Sequence, residues 1–521
     1  MHVEFLTGSS GSGKSKRLYD ILLDMSQENP DKKIFLVVPE QFTMQAQRNI
    51  VENSPGHGTF NIDIVSFNRL AYRIFEELGI ELPTAIDDTG KNLILRKIID
   101  ENKKDFKIIR AKDSQGFVSE IKSVISELLQ YSVTADMLKD ACGRLSTGGI
   151  NNNERLRRKL EDISLIYSAF KEYISDKYIT TEEVTAILCR YVDKSELLKN
   201  AVFAFDGFTG FTPVQYQLIE LLFDKADTMY FTLTLPQDGD RWLFDMSYDE
   251  LRRIGECADR HHVRVRRMNV GEAVPYRFKD SPQLAHLERN LYRDMAQYDG
   301  EADNITIYSA LGKKAEVAYV ASRIKSLVEN GLRYRQIGVI VSSMADYKEL
   351  LASIFEENKI PVFMDNKRSI LANPAVEYIR AALAIVEKDY SYESVFRLLK
   401  GYMCKNSGRF VDSVGSLDIF ENYVLALGIR GHKKYTEAFR RKYPSKRGMD
   451  LDVINDIRVK LLELMEPVYQ VFHDKDSTAA DYIDTMLQFL DESMVYEQLE
   501  QLRELMEKEN QLSLIHISEP T

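Results

Sequence analysis

The sequence predicts an α/β protein made of two α/β units, each interrupted by a mainly helical insertion. Three observations carry that reading. The octapeptide Gly8-Ser9-Ser10-Gly11-Ser12-Gly13-Lys14-Ser15 fits G-x-x-x-x-G-K-[ST], the pattern of a phosphate-cradling loop. It stands between an apolar strand segment, residues 3–7, and Leu18, Ile21, Leu22 and Met25, which recur at helical spacing. Strand runs and helical periods then alternate, which implies a parallel sheet with helices on its faces.

In order along the chain, residues 34–38 read as a second strand, a helix starts near Met44, and residues 62–65 read as a third strand. From residue 91 to 200 the texture changes to long helical periods, over 91–101, 117–131 and 153–178, with few strand signals. Strands return at 201–205, ending at Asp206, and at 229–234. A charged connector, about 260–303, leads to a second α/β unit with strands at 305–308 and 337–341 and a helix over 316–330. From Pro374 the chain reads helical again. The expected organisation is a first α/β domain from 1–90 and 201–300, an insertion at 91–200, the first part of a second α/β domain at 301–373, and a second insertion at 374–511.

The last ten residues, 512–521, follow a charged helical run without any cap or turn logic. Their sequence, Leu512-Ser513-Leu514-Ile515-His516-Ile517-Ser518-Glu519-Pro520-Thr521, is also what a common sequencing-adapter read-through translates to. They are expected to be a non-native tail, with the natural reading frame cut near residue 511.

Length and composition bound the class. A chain of 521 residues with 44% hydrophobic and 29% charged residues is ordinary globular protein of several domains. Acidic residues outnumber basic ones, 80 to 69, for a net charge of −11, which excludes a uniformly basic nucleic-acid coat but not a local basic groove. Cys142, Cys189, Cys257 and Cys404 lie far apart with no C-x-x-C pair, as expected of thiols in a reducing compartment. The eight histidines show no metal-ligand spacing. No long apolar span or leader pattern appears, so the expectation is a cytoplasmic protein with no membrane partner.

The octapeptide sets the chemistry. Glycines let its backbone turn tightly and aim successive N–H groups at phosphate oxygens. Lys14 is expected to reach the terminal phosphates of ATP, Ser15 to hold Mg²⁺, and the following helix N-terminus to add its dipole. Such a site also needs a carboxylate at the end of another core strand, usually followed by a Glu that orients the attacking water. Asp206 ends an apolar strand and is the natural metal-side carboxylate; the next residue is Gly207, not Glu. Alternatively, the Asp-Gly pair is only a strand-ending turn. No catalytic residue is assigned with Gly207 in the Glu position.

Residues 206–216 are similar to the Asp-Glu-Phe-Gln-Asp motif of superfamily-one helicases, with Gly207 for the Glu and Thr209 for the Gln. Together with residues 8–15, Val38-Pro39-Glu40-Gln41-Phe42-Thr43 and Val65-Ser66-Phe67-Asn68-Arg69-Leu70, they resemble the AddB family, one subunit of the bacterial AddAB helicase–nuclease that processes DNA double-strand ends. Residues 334–340, 360–365 and 392–397 continue the likeness into a second motor-like domain, so that it runs from Met1 to about Asn510.

The resemblance implies two RecA-like P-loop helicase-type domains, an AddA-like partner that supplies the motor, and single- and double-stranded DNA as ligand. It also implies a C-terminal nuclease domain with an iron–sulfur cluster, for which this chain shows neither a G-x-x-D-R-x-D block nor clustered cysteines. This polypeptide alone is therefore expected not to cut DNA.

DNA contacts are expected on loops leaving the carboxyl ends of core strands: Gln41 and Thr43, Phe67 and Arg69, and Phe208. Aromatics interleaved with Arg and hydrogen-bonding side chains suit a single strand, and in the AddB family this face is where a recombination hotspot (Chi) is read. Phe67 and Phe208 read equally well as core packing and Arg69 as a surface helix residue. Trp242 reads as packing or a stacking platform, and Lys367 and Arg368, beside Asp365, as a solvated turn.

The functional expectation is an ATP- and single-strand-binding subunit with weak or no hydrolysis. The alternatives are an ATP-hydrolysing superfamily-one DNA translocase and a small-molecule P-loop kinase, the latter disfavoured by two insertion-bearing units where a kinase has one compact fold.

Overall fold

The computed structural model describes residues 1–508 except 55–57, 59–60, 109–114, 147–151, 176, 272–273, 294, 365–369, 411–414 and 443–449. The expected tail at 512–521 and the turn at Lys367 and Arg368 lie outside the described residues. The chain divides into two compact units, Met1–Ser309 and Ala310–Thr521.

The first unit is organised on a six-stranded, wholly parallel sheet. Its strands are β1 (His2–Gly8), β2 (Ile34–Val37), β3 (Ile62–Val65), β6 (Val202–Phe205), β7 (Thr228–Thr234) and β8 (Arg264–Asn269), in the spatial order β3-β2-β6-β7-β1-β8. Two further short strands, β4 (Thr84–Ile86) and β5 (Tyr178–Thr180), pair with each other outside it. The period of two along each strand sorts side chains between two cores. Phe35, Val37, Phe203, Phe205 and Phe231 belong to one face, while Ile34, Leu36, Val202, Ala204 and Tyr230 belong to the other. Both faces are covered, which is why these strands read as continuous apolar runs.

Helix α1 (Lys14–Glu28) and α2 (Thr43–Asn53) supply the second of these cores through Leu18, Leu22, Ala46 and Ile50. Helix α3 (Phe67–Glu77) supplies the first core through Phe67, Leu70 and Ile74, and its N-terminus is capped by Ser66 Oγ, which accepts from Arg69 N at 3.3 Å.

The insertion contains α4 (Asp88–Glu101), α5 (Gln115–Gln130), α6 (Ala135–Ser146) and α7 (Asn152–Ile174), packed around Leu95, Ile98, Ile125, Ile166 and Phe170. Lys91 is buried there and pairs with Glu182 at 2.7 Å, so the charge has the partner that burial demands. The short α8 (Val184–Cys189) leads back to β6 and joins the first core. After β6, α9 (Pro213–Leu222) starts on a capping box made by Thr212 and Gln215, and α10 (Asp245–Arg260) follows β7.

Two features differ from the sequence reading in the connector and beyond. Residues 264–269, read as charged connector, form edge strand β8, whose arginines conceal a strand that pairs with β1. An edge strand carrying cations is a usual way to block unwanted pairing. The connector also holds α11 (Pro282–Asn290).

In the second unit, α12 (Lys313–Glu329) and α13 (Met344–Glu357) pack through Val317, Ile324, Ile354 and Phe355. Residues 305–308, before this unit begins, and 337–341 within it, expected as strands, form none: among the described residues no strand pairs with either segment, and a ladder needs a neighbour to satisfy backbone N–H and C=O groups. Ile340 is 98% exposed, while Ile337 and Val341 still pack against the helices. From Pro374 the chain is helical as expected, with its own core around Ile385, Leu398, Phe420, Leu461 and Met465.

Candidate nucleotide site

Register brings the carboxyl ends of the sheet into line. Gly8 lies opposite Thr234 across β1 and β7, and Val37 lies opposite both Val65 and Phe205. The loops after β1, β2, β3, β6 and β7 therefore leave one edge, where open α/β sheets place ligands.

The octapeptide forms a turn between β1 and α1. Gly11 (φ +76°) and Gly13 (φ +94°) occupy the left-handed region, and Gly13 is the residue before the first turn of α1. Lys14 Nζ folds back over the loop and donates to Gly8 O at 3.1 Å and Ser9 O at 2.8 Å. Burial pulls its ammonium down to about 8; Asp206 and Glu288 oppose that shift and Arg277 adds to it. The Ser12 hydroxyl is buried without a partner among the described residues, a donor facing into its own loop.

Asp206 sits at the foot of this loop, 6% exposed. Its Oδ1 accepts from Ser15 Oγ at 2.9 Å and from Thr232 Oγ1 at 2.6 Å, and its Oδ2 accepts from Tyr19 Oη at 2.9 Å. Desolvation, reinforced by the neighbouring carboxylate, drives the Tyr19 phenol well above its ordinary value, so it stays a proton donor. Ser15 and Asp206 thus meet across 191 positions of sequence. One hydroxyl and one carboxylate fit nucleotide-borne Mg²⁺, which takes few protein ligands and relies on phosphate and water for the rest, while the Lys14 ammonium suits the phosphates themselves. No cluster of three or more His, Cys, Asp or Glu able to hold a metal occurs among the described residues.

Gly207 has φ +78°. A side chain there is strained, and its Cβ would meet the Phe42 ring and Pro39 at 3.7 Å. The missing Glu is therefore absent from a backbone position that does not suit one. The loop beyond is held by Glu250 of α10, whose Oε1 accepts from Phe211 N at 3.1 Å and from the Tyr216 hydroxyl. Desolvation raises the Glu250 carboxyl, with those two donors pulling the other way.

The expected DNA-contact residues divide. Gln41 and Arg69 are exposed, and Arg69 pairs with Glu40 at 3.4 Å. Thr43 is buried, with Oγ1 donating to Glu40 O at 2.9 Å, so its hydroxyl serves the turn into α2. Phe67 is also buried, with ring centroids 5.5 Å from Phe208, 6.1 Å from Phe205 and 6.1 Å from Phe211. Phe208 is half-buried and tilted against Phe211 at 4.9 Å. For Phe67 the packing reading holds, because a ring enclosed by three others has no free face for a base. Phe42 and Trp242, 42% and 77% exposed, are the open aromatics on these loops, so the packing reading of Trp242 does not hold.

Sequence reasoning missed Tyr19, Thr232 and Glu250. Tyr19 lies four residues after Ser15 on one helix face, a spacing open to inspection; Thr232 and Glu250 act from elements distant in sequence, with no local signal.

A parallel sheet with helices on both faces and a glycine-rich loop at the carboxyl end of β1 places the chain in the P-loop α/β class. Residues 5–288 match the family model described as ADDB, N-terminal, and residues 279–517 match the UvrD-like helicase C-terminal domain. The chain belongs to the AddB family.

It is similar to bacterial proteins that are named as subunits of an ATP-dependent helicase/deoxyribonuclease. In Lachnoclostridium phytofermentans the identity is 35%, covering 94% of this chain and 43% of that protein. In Clostridium kluyveri it is 32%, over 96% and 44%, and in Clostridium novyi 34%, over 89% and 40%. The chain thus spans less than half the length of these relatives. Among the described residues no helix is long and apolar enough to cross a membrane.

Proposed function

We propose that this chain is the nucleotide- and DNA-binding front of an AddB-type component of an ATP-dependent helicase/deoxyribonuclease. Residues 8–15 bind the phosphates of ATP, with Lys14 as the point charge and Ser15 and Asp206 on the side of Mg²⁺. That ion, when bound, neutralises phosphate charge. Hydrolysis is weak or absent, and an AddA-like partner drives the complex along DNA during repair of double-strand breaks in the cytoplasm.

Single-stranded DNA passes the carboxyl edge of the first sheet, touching Gln41, Arg69 and Phe208, and is scanned there for a Chi-like sequence. The first α/β unit and the segment that follows it act as paired RecA-like domains, bounded as 1–90 with 201–300 and from 301 to 373, with insertions at 91–200 and 374–511. The nuclease domain and iron–sulfur cluster belong to the remainder of an AddB-type protein.

The observation that carries this reading is the convergence of Lys14, Ser15 and Asp206 beside a Gly207 that replaces the water-orienting Glu. An oriented nucleophile is a large share of phosphoryl-transfer catalysis, so its loss leaves binding while removing orders of magnitude in rate. The test is ATPase with single-stranded DNA, alongside equilibrium nucleotide binding. We expect saturable binding abolished by Lys14→Ala and turnover near background. Brisk turnover that Lys14→Ala abolishes would establish the active-translocase alternative instead.

A further inference from the structure

The loop from Gly207 to Phe211 joins β6 to the capped start of α9 and carries Phe208 at the carboxyl edge of the sheet. Little of its backbone is tied down. Gly207 sits in the left-handed region and Gly210 adds a second residue without a side chain. Within the loop, the Phe211 N–H is the only backbone donor with a protein acceptor among the described residues. That acceptor is Glu250 Oε1 on α10, at 3.1 Å, and the same oxygen accepts from the Tyr216 hydroxyl on α9.

Glu250 is not held as one half of an ion pair. It is 5% exposed, its Oε2 has no hydrogen-bond partner among the described residues, and the nearby Arg253 pairs with Asp249 at 2.9 Å. A carboxyl buried on such terms costs stability. What it contributes is an acceptor that ties the loop to two helices. The tie reaches Phe208 through Phe211, whose ring centroid lies 4.9 Å from Phe208, 5.7 Å from Tyr216 and 5.9 Å from Phe205. Fixing the Phe211 backbone and the Tyr216 ring together therefore sets where the Phe208 ring stands.

We propose that Glu250 is a positioning residue for single-stranded DNA binding: it holds the Gly207–Phe211 loop so that the Phe208 ring stays at the strand. This inference rests on the DNA-contact reading above, in which Phe208 touches the strand; Glu250 itself touches none of it. The hydrogen bonds of Lys14, Ser15 and Asp206 do not involve Glu250. Its loss should therefore separate strand binding from nucleotide binding.

The test titrates a fluorescein-labelled oligothymidine strand and, in parallel, a fluorescent ATP analogue into the purified chain. The variants are Phe208→Ala, Glu250→Ala, Glu250→Asp, Glu250→Gln and the Phe208→Ala, Glu250→Ala double. Phe208→Ala should weaken strand binding by about tenfold, the worth of stacking on one aromatic ring. Glu250→Ala should weaken it by a comparable factor and add nothing to Phe208→Ala in the double variant. Glu250→Asp, one methylene short of the loop, should move the same way even where the alanine variant does not fold. Glu250→Gln keeps the Oε1 acceptor and should stay within about twofold of the wild type. Nucleotide affinity should hold in every Glu250 variant. Losses that add in the double variant, strand binding that ignores Glu250, or equal loss of both ligands without rescue by Gln overturns the proposal and leaves the DNA-contact reading standing. A silent Phe208→Ala sinks that reading and this inference with it.

Discussion

Lys14 sets the pH behaviour of the site. Its ammonium is pulled by burial to about 8, below the ordinary lysine value of 10.5. Between those values the folded chain binds fewer protons at this position than the unfolded chain. Stability therefore rises as pH climbs through that window, and the cost of the buried charge is fully present below about 8. Phosphate binding runs the other way, because only the ammonium pairs with a phosphate. Nucleotide affinity should fall once pH passes about 8, by up to tenfold per pH unit, until the pKa of the nucleotide-bound lysine is reached. Titrations of a fluorescent nucleotide from about pH 7 to about pH 9.5 measure this. A flat profile would mean that Lys14 is not the phosphate-facing cation. Gly207 matters at the same scale: its left-handed backbone makes it a poor host for a Glu, so Gly207→Glu alone is expected to leave ATP turnover unchanged unless the turn is reshaped as well.

At the scale of elements, what was legible follows from burial on both faces. Strands β1, β2, β3, β6 and β7 were all readable as short apolar runs, because each is covered by helices on both sides. Strand β8 was not, since an exposed edge tolerates Arg264, Arg266 and Arg267 and the alternation vanishes. The opposite error occurred at 337–341, where an apolar β-branched run carries the propensity of a strand but has no strand to pair with among the described residues.

The site shows the same asymmetry. The glycine loop, Asp206 and the helical spacing of Ser15 and Tyr19 are local patterns, whereas the burial of Phe67 and Thr43 and the reach of Thr232 and Glu250 emerge only from packing. Amide hydrogen exchange separates the two kinds of segment. Amides of β1, β2, β6 and β7 should be protected up to the global stability of their unit. Those of Val339, Ile340 and Val341 should exchange rapidly, and strong protection there would show that the run pairs as a strand in solution.

At the scale of the whole chain, two compact units with separate hydrophobic cores predict two unfolding events. The proposed nucleotide site lies in the first unit: residues 8–15, Tyr19, Asp206 and Thr232 all precede Ser309. A ligand that binds only the folded form stabilises whatever must unfold to destroy its site, by about 2.7 kcal/mol when present at a hundredfold excess over its Kd. That stabilisation should appear in the transition of the first unit alone. Scanning calorimetry of the purified chain with and without saturating nucleotide should therefore show one transition moving up by a few degrees while the other stays in place. Lys14→Ala should abolish the shift without lowering the unmoved transition. Joint movement of both transitions would mean that the units unfold as one, and that nucleotide occupancy in the first is felt throughout the second.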